Sequence, residues 1–92
     1  MASLPAISII TPTHNRAPVL RRALASVQAQ TGADYEHLVI DDASTDDTAS
    51  VVATLDDPRI RLIRFEQWRG ANPARNAGIH AARAPIITFL DS

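Results

Sequence analysis

The sequence predicts an α/β domain, in which a three-layer, doubly wound and mainly parallel sheet forms the centre. Four short aliphatic runs alternate with three amphipathic segments along the chain, which is the pattern of successive βαβ units. Hydrophobic residues make up 46% of the chain but aromatic residues only 4%, so aliphatic side chains must fill the core, as in buried parallel strands. Two of the runs end in acidic residues, at Asp41-Asp42 and at Asp91.

Length and composition exclude several classes of protein. Ninety-two residues allow a single domain, which we expect to span residues 1–92. The 9 basic and 10 acidic residues nearly balance, so neither nucleic acid nor an anionic membrane is expected as the main partner. The absence of cysteine excludes disulfides and thiolate metal sites. No signal peptide or membrane-spanning run is recognisable, so the cytoplasm is the default location.

The first half of the chain predicts two strands joined by a helix. Residues 7–11 form the first strand, which Pro12 ends. A helix follows over residues 18–30, because its aliphatic side chains recur on one face, and Thr31-Gly32 closes it. Residues 36–40 form the second strand.

Two further helices and two strands follow. Ser44 and Asp47 form a Ser-x-x-Asp start signal for the second helix, whose inward side chains are Val51, Val52 and Leu55. Asp57-Pro58 ends that helix, and residues 60–65 form a third strand of mixed polarity, typical of a sheet edge. The third helix begins at Asn72-Pro73 and continues through Ala82. After Ala84-Pro85, residues 86–90 form the fourth strand.

The strand order follows from the handedness of the crossovers. Right-handed connections place strand two beside strand one and strand three outside it, and the doubly wound plan returns strand four to the other side of strand one. The predicted order is therefore 3-2-1-4. Ligands bind where such a chain reverses direction, so we expect a crevice between the loop of residues 12–16 and Asp91, flanked by Asp41 and Asp42.

Side chains around this crevice suggest its chemistry. Neither of the glycine-rich phosphate-binding motifs follows the first strand, which argues against classical P-loop and dinucleotide folds. His14 either stacks on or hydrogen-bonds to a ligand, or is simply solvated. Asp41 and Asp42 point to opposite sides of a strand, so one faces the crevice and the other caps the following helix.

Asp91 is the strongest candidate for a cation ligand. It follows an apolar strand, and a buried carboxylate without a partner is costly unless a divalent cation binds it. Arg75 and Asn76 lie near the start of the third helix, where an anionic group is favoured, although a solvated arginine and a helix-face asparagine explain them equally well. Arg16 is also within reach of phosphates. Trp68 is expected to be a surface or partial core residue, not a stacking platform.

Four segments together resemble one enzyme family. They are ISIITPTHNR (residues 7–16), VIDDASTD (39–46), ARNAGI (74–79) and ITFLDS (87–92). Their order and spacing, over nearly the whole chain, resemble the nucleotide-binding half of a family 2 glycosyltransferase with the Rossmann-like GT-A fold. Such an enzyme transfers a sugar, with inversion, from a nucleotide diphosphate donor such as a UDP-sugar, assisted by Mg²⁺ or Mn²⁺.

The resemblance also implies site residues. Pro12, Thr13 and His14 match the loop that packs against the base, where the family more often has Tyr at the His14 position. Asp42 matches the carboxylate that pairs with the base, with Asp41 beside it. Arg75 and Asn76 match a segment near the donor, and Asp91 matches the first acid of the Asp-x-Asp metal motif. With Arg16, these residues make up the expected nucleotide site and its metal ligand.

The chain departs from the family pattern after Ser92. The third residue of the metal motif, the acceptor-binding half and the general base are not in the sequence, so no catalytic residue is assigned. We therefore expect a truncated domain that is inactive alone and whose acceptor is unknown. The full-length parent is expected in the cytoplasm or at the inner face of the membrane.

Two other functions fit parts of the sequence. The fourth strand is expected to leave an unpaired edge, so the chain is alternatively a self-associating or partner-binding module without catalysis. A receiver or flavin domain would use Asp41 and Asp42 as a phospho-acceptor pocket. The absence of a later strand carrying Thr and Lys disfavours that class.

Overall fold

Four parallel strands form a single sheet in the computed structural model, which describes residues 4–30 and 34–91. The strands are β1 (Ile7–Thr13), β2 (Tyr35–Asp42), β3 (Ile60–Phe65) and β4 (Ile86–Phe89), and the helices are α1 (Ala17–Gln28), α2 (Thr48–Leu55) and α3 (Ala71–Ala81). Their order in the sheet is β3-β2-β1-β4, and every pairing is parallel. The predicted fold class and strand order are confirmed.

Helices cover the sheet from both sides, and β2 shows why. Successive side chains of a strand point to opposite faces. Val39 therefore packs with Leu20 and Leu24 of α1 and with Val51 of α2. On the other face, Leu38 and Ile40 pack with Ile10 and with Ala74 of α3. All eight residues of β2 are buried, as expected for the inner strand of a three-layer domain.

Helix α3 lies unusually close to β1. A Cβ atom placed on Gly78 would lie 2.5 Å from Cγ2 of Ile10, so only glycine fits at this contact. The close approach brings the first turn of α3 to the carboxyl ends of β1 and β2. There Thr13 is level with Asp41, and Asp42 with Phe65. The loops that follow β1, β2 and β3 therefore meet at one edge of the sheet.

Several predicted boundaries were wrong. Strand β1 continues through Pro12 to Thr13, and Pro12 is level with Ile40 of β2. Strand β2 is three residues longer than predicted, α1 runs over 17–28 rather than 18–30, and β4 ends at Phe89. Only β3 begins and ends as predicted. Thr31-Gly32, the predicted end of α1, lies outside the described residues.

The start of α2 was wrong because Ser44 has other partners. Its hydroxyl oxygen accepts a hydrogen bond from the backbone N–H of Asn15 (2.9 Å), and its own N–H donates to the carboxylate of Asp41 (2.9 Å). The helix begins only at Thr48, with no acidic residue in its first turn. The Asp46 carboxylate accepts a hydrogen bond from the Thr48 N–H (3.1 Å) instead.

The start of α3 was also misplaced. The helix begins at Ala71 after Gly70, not at Asn72-Pro73, and it ends at Ala81. Gly70 has φ of 101°, a backbone conformation that side chains with a Cβ rarely adopt. Pro73 then occupies the first turn, where a missing N–H costs no helical hydrogen bond.

Two ionisable side chains, Glu36 and His37, are buried in the sheet away from its carboxyl edge. Burial alone would raise the pKa of Glu36, but hydrogen bonds from Ser8, the Arg83 N–H and Arg61 lower it below its usual value. Burial lowers the pKa of His37 to about 4. The Nε2 atom of His37 lies 2.7 Å from the Thr11 hydroxyl, while its Nδ1 atom has no hydrogen-bond partner.

None of the helices within residues 4–30 and 34–91 combines the length and the apolar character needed to cross a bilayer.

Candidate functional site

A cleft of about 250 Å³ lies at the carboxyl edge of the sheet. The loops after β1 and β3 and the end of β2 form its walls, and the first turns of α3 close it. Its lining residues are Pro12, Thr13, His14, Arg16, Asp42, Trp68, Ala71 and Ala74. The cleft therefore contains five of the predicted site residues, together with Trp68, for which no ligand contact was predicted.

Asp42 faces this cleft and also fastens the loop that follows β3. One of its carboxylate oxygens accepts the Arg69 N–H and the other accepts the Gly70 N–H, each at 2.7 Å. Only 3% of Asp42 is exposed. A carboxylate has about four lone-pair positions, so each oxygen retains the capacity to accept a further hydrogen bond from a ligand.

Asp41 points the other way and braces the segment that precedes α2. It is fully buried, accepts the Ser44 N–H, and lies 3.5 Å from a guanidinium nitrogen of Arg64. Arg64 also donates to the Ser44 carbonyl (3.0 Å). Asp41 is fully buried and does not line the cleft. Its predicted contact with a nucleotide stays a prediction.

The imidazole of His14 is oriented by the backbone of β2. Its Nδ1 atom lies 2.5 Å from the carbonyl oxygen of Asp42, which can only accept, so Nδ1 carries the proton. In neutral His14 the Nε2 atom is then an acceptor, and the side-chain amide of Asn15 lies 3.4 Å from it. Thr13, beside it, has a buried hydroxyl without a hydrogen-bond partner.

Asn15 joins the loop after β1 to the loop after β2. Its side-chain oxygen accepts the N–H groups of Thr45 (2.7 Å) and Asp46 (3.2 Å), while its own N–H donates to Ser44. In the reverse direction, Asp46 accepts the Ala17 N–H (3.1 Å). The Thr48 hydroxyl, with smaller help from backbone N–H groups, lowers the pKa of Asp46. Hydrogen bonds in both directions therefore connect the loop after β1 with the loop after β2.

Sequence reasoning missed Asn15, although one signal was present. Asn15 has φ of 52°, and asparagine is one of the few residues that adopt this left-handed conformation readily. An asparagine directly after a strand therefore suggests a sharp turn. Its partners, however, are some 30 residues away in the sequence and were not identifiable without the fold.

The remaining predicted residues lie beside the cleft and not in its lining. Arg75 donates to the side chain of Asn72 (3.4 Å) and lies 3.6 Å from the carboxylate of Asp91. Asn76 is exposed on α3. The Asp91 side chain is 79% exposed, so the premise that this carboxylate is buried was wrong.

A divalent metal would find one clear ligand. Residues 4–30 and 34–91 contain no group of three or more acidic or histidine side chains arranged to hold a metal ion. Asp91 is nevertheless an accessible carboxylate at the edge of the site. Mg²⁺ is often bound by one or two carboxylates together with substrate phosphates, so Asp91 fits as a single protein ligand.

These features define a class of protein. A doubly wound parallel sheet with a cleft at the carboxyl ends of β1 and β2, closed by the start of α3, is a nucleotide-binding type of α/β domain. Asp91, predicted as one wall of the crevice, does not line it. The model of the family described as glycosyl transferase family 2 matches residues 8–92, and the chain belongs to that family.

Two curated relatives and one solved structure support the assignment. The chain is 44% identical over 89 residues to the succinoglycan biosynthesis protein ExoO of Rhizobium meliloti, covering 97% of this chain and 26% of that protein. It is 41% identical over 86 residues to the Escherichia coli protein named UDP-Glc:alpha-D-GlcNAc-diphosphoundecaprenol beta-1,3-glucosyltransferase WfgD, covering 94% and 34%. The chain thus spans about a quarter to a third of these relatives.

The structural comparison agrees. The mannosyltransferase PcManGT from Pyrobaculum calidifontis, solved in complex with GDP-Man and Mn²⁺, matches with a TM-score of 0.85 and 29% identity. The match covers 97% of this chain and 28% of the mannosyltransferase. The family and the GT-A fold predicted from the four sequence segments are therefore confirmed.

Proposed function

We propose that this chain forms the donor-binding portion of an inverting glycosyltransferase that takes its sugar from a nucleoside diphosphate sugar, with a UDP-sugar as the first candidate. The observation that carries the proposal is the cleft between His14, Asp42 and the start of α3 in a family 2 domain. WfgD is named for a UDP-Glc donor, and PcManGT was solved with GDP-Man, so both bases belong in the test.

The proposed roles follow from the chemistry of the lining. The free lone pairs of Asp42 are acceptors that suit the N–H groups of a base edge, and so is the Nε2 atom of His14 once a base displaces the exposed Asn15 amide, 3.4 Å away. Arg16 and Arg75 supply positive charge for the diphosphate. The N-terminus of α3 adds a partial positive charge, and Ala71 in its first turn lines the cleft.

The proposed metal is Mg²⁺ or Mn²⁺, held by Asp91. When bound, it would neutralise charge on the departing diphosphate. The Asp91 carboxylate lies 3.6 Å from a guanidinium nitrogen of Arg75, on the side of the donor segment.

Sugar transfer also requires a base that deprotonates the acceptor hydroxyl. Asp42 is the one carboxylate among the described lining residues, and its two oxygens hold the Arg69 and Gly70 amides. We therefore propose that the 92-residue chain binds donor but does not complete transfer alone. WfgD is named for a diphosphoundecaprenol-linked acceptor. A lipid-linked acceptor at the inner membrane face is accordingly our proposal for this family member.

Calorimetric titration tests the proposal. UDP and GDP are titrated into the chain with and without Mn²⁺, and the same is done for Asp91→Asn, which removes a charge while keeping the side-chain size. We expect saturable nucleotide binding that Mn²⁺ strengthens in the wild type and not in the variant. Failure of a folded chain to bind either nucleotide would refute donor binding, and equal strengthening in Asp91→Asn would refute the metal role.

The exposed fourth strand favours a second candidate function. Ile86, Ile87 and Phe89 are 57%, 38% and 45% exposed, and they occupy both faces of β4. Such a strand is a surface for self-association or partner binding. Assembly that grows with protein concentration and is independent of nucleotide, measured by light scattering, distinguishes this function from the first.

A further inference from the structure

Trp68 is a large apolar side chain that the fold holds in an exposed position. It is 66% exposed and lines the cleft opposite the loop of His14. An indole in solvent contributes little to the core. Its position is therefore more informative about ligands than about stability.

Three contacts hold the turn that carries Trp68. The next two backbone N–H groups, of Arg69 and Gly70, donate to the buried carboxylate of Asp42. The Arg69 guanidinium lies 4.7 Å from the centroid of the Phe65 ring, which closes the turn over the end of β3. Gly70 supplies the positive φ at which α3 begins. The backbone around the indole is thus fixed before any ligand binds, which lowers the entropy cost of binding.

The two rings of the cleft are arranged as a wedge. The centroids of His14 and Trp68 are 6.2 Å apart, and their planes are inclined by 57°. Two parallel rings about 7 Å apart would sandwich a base between them, since stacked rings lie roughly 3.5 Å apart, at van der Waals contact. In this wedge, one ring stacks on a flat ligand while the other meets its edge.

We propose that Trp68 is a donor-binding residue that stacks on the heteroaromatic base of the donor, while Asp42 and His14 accept hydrogen bonds from the edge of that base. The inference rests on the proposed function, and it specifies that the base is the part of the donor that occupies the cleft. Trp68 shares the cleft with these two acceptors. Arg16, proposed for the diphosphate, also lines the cleft, whereas Arg75 and Asp91 lie outside its lining, so the diphosphate is expected to leave the cleft on their side.

The chain contains a single tryptophan, so its fluorescence reports on this position alone. UDP titrated with Mn²⁺ is expected to change the Trp68 emission with the same dissociation constant that calorimetry measures. Manganese pyrophosphate, which lacks a base, is expected to bind without that change. A sugar contact instead of a base contact would show as an emission change with a UDP-sugar but not with UDP, and would overturn the proposal.

Substitutions provide the matching affinity test. Trp68→Leu removes the ring and is expected to weaken UDP binding about tenfold, the scale of one lost stacking contact, while pyrophosphate binding is unchanged. Trp68→Phe keeps a ring and is expected to recover most of the affinity. Phe89→Leu is the matched control, because Phe89 is also an exposed aromatic residue but does not line the cleft.

The outcomes separate this inference from the proposed function. If UDP binds by calorimetry but the wild-type emission is constant and Trp68→Leu binds within twofold of wild type, the stacking role is wrong and donor binding stands. Equal weakening of UDP and pyrophosphate would also overturn the base contact. If the folded wild-type chain binds no nucleotide, both proposals fail.

Discussion

The carboxyl edge of the sheet and strand β4 are built in opposite ways. At the carboxyl edge, Asn15, Asp42 and Asp46 connect loops that are distant in sequence through side-chain hydrogen bonds to backbone N–H groups. Strand β4 pairs with β1 through its backbone, but all four of its residues are exposed. Within the described residues, contacts between loops determine the shape of the cleft, whereas the apolar surface of β4 has no cover.

Acid is expected to destabilise the whole domain, so that the carboxyl edge and β4 unfold together. Burial lowers the pKa of His37 from its usual 6.5 to about 4, so the unfolded chain binds a proton in this interval and the folded chain does not. Stability is therefore fully present above the unfolded pKa and falls as pH drops from 6.5 toward 4, by about 3 kcal/mol from this group.

Urea unfolding at several pH values measures the effect. His37→Gln is the control, because glutamine does not titrate but can still hydrogen-bond to the Thr11 hydroxyl that His37 contacts. Its stability is expected to be flatter between pH 6.5 and 4. An equally steep decline in both proteins would assign the acid sensitivity to other groups.

The contacts between loops are the next feature to test. Asn15→Ala removes an acceptor that serves the Thr45 and Asp46 amides and places Ala at a φ of 52°. We expect a loss of about 2 kcal/mol in the free energy of unfolding, from the two lost hydrogen bonds, whose exposed amides then bind water, and from backbone strain. Because His14 is the neighbouring residue in the same loop, UDP affinity should fall as well.

Two matched variants divide that loss into its causes. Asn15→Gly removes the acceptor but tolerates the positive φ, so about half of the loss is expected. Asn15→Asp keeps an acceptor of similar size and should lie near the wild type. Stability of Asn15→Ala within about 0.5 kcal/mol of wild type, the usual range of a neutral surface change, would show that the loops hold their shape without this residue.

The same contrast explains how much could be predicted from the sequence. Strand order and β3 follow from periodicity and crossover handedness, which act locally or by general rule. The starts of α2 and α3 were misplaced because Ser44 and Gly70 form hydrogen bonds with distant parts of the chain. Ser44 accepts from the Asn15 N–H, and the Gly70 N–H donates to Asp42. An N-cap pattern read from sequence contains no information about such partners.

The site residues also divide into those that the sequence could predict and those that depend on distant contacts. Residues 12–14 and Asp42 were predicted through their resemblance to a family, and the structure brings them into one cleft. Trp68 was predicted as a surface or partial core residue, and it is largely exposed. Its place in the cleft depends on the amide bonds that Asp42 makes with Arg69 and Gly70, a contact across 27 and 28 residues that no local pattern encodes.

The smallest expected effect on stability is in β4, the strand whose side chains are exposed. Ile86→Thr replaces a 57% exposed side chain with another β-branched one, so we expect a change within about 0.5 kcal/mol. Ile40→Thr, at a fully buried position of β2, is the matched control and should cost about 2 kcal/mol or more, because it buries a hydroxyl and removes apolar contacts.

Light scattering of the wild-type chain and Ile86→Thr decides whether the exposed strand β4 mediates self-association. If β4 mediates self-association, Ile86→Thr should lower the assembled fraction at a given concentration while leaving nucleotide binding intact, because Ile86 does not line the cleft. A wild-type chain that is monomeric at every concentration would eliminate self-association as a function. The apolar faces of β4 would then be surfaces that contribute neither to donor binding nor to contact between copies of this chain.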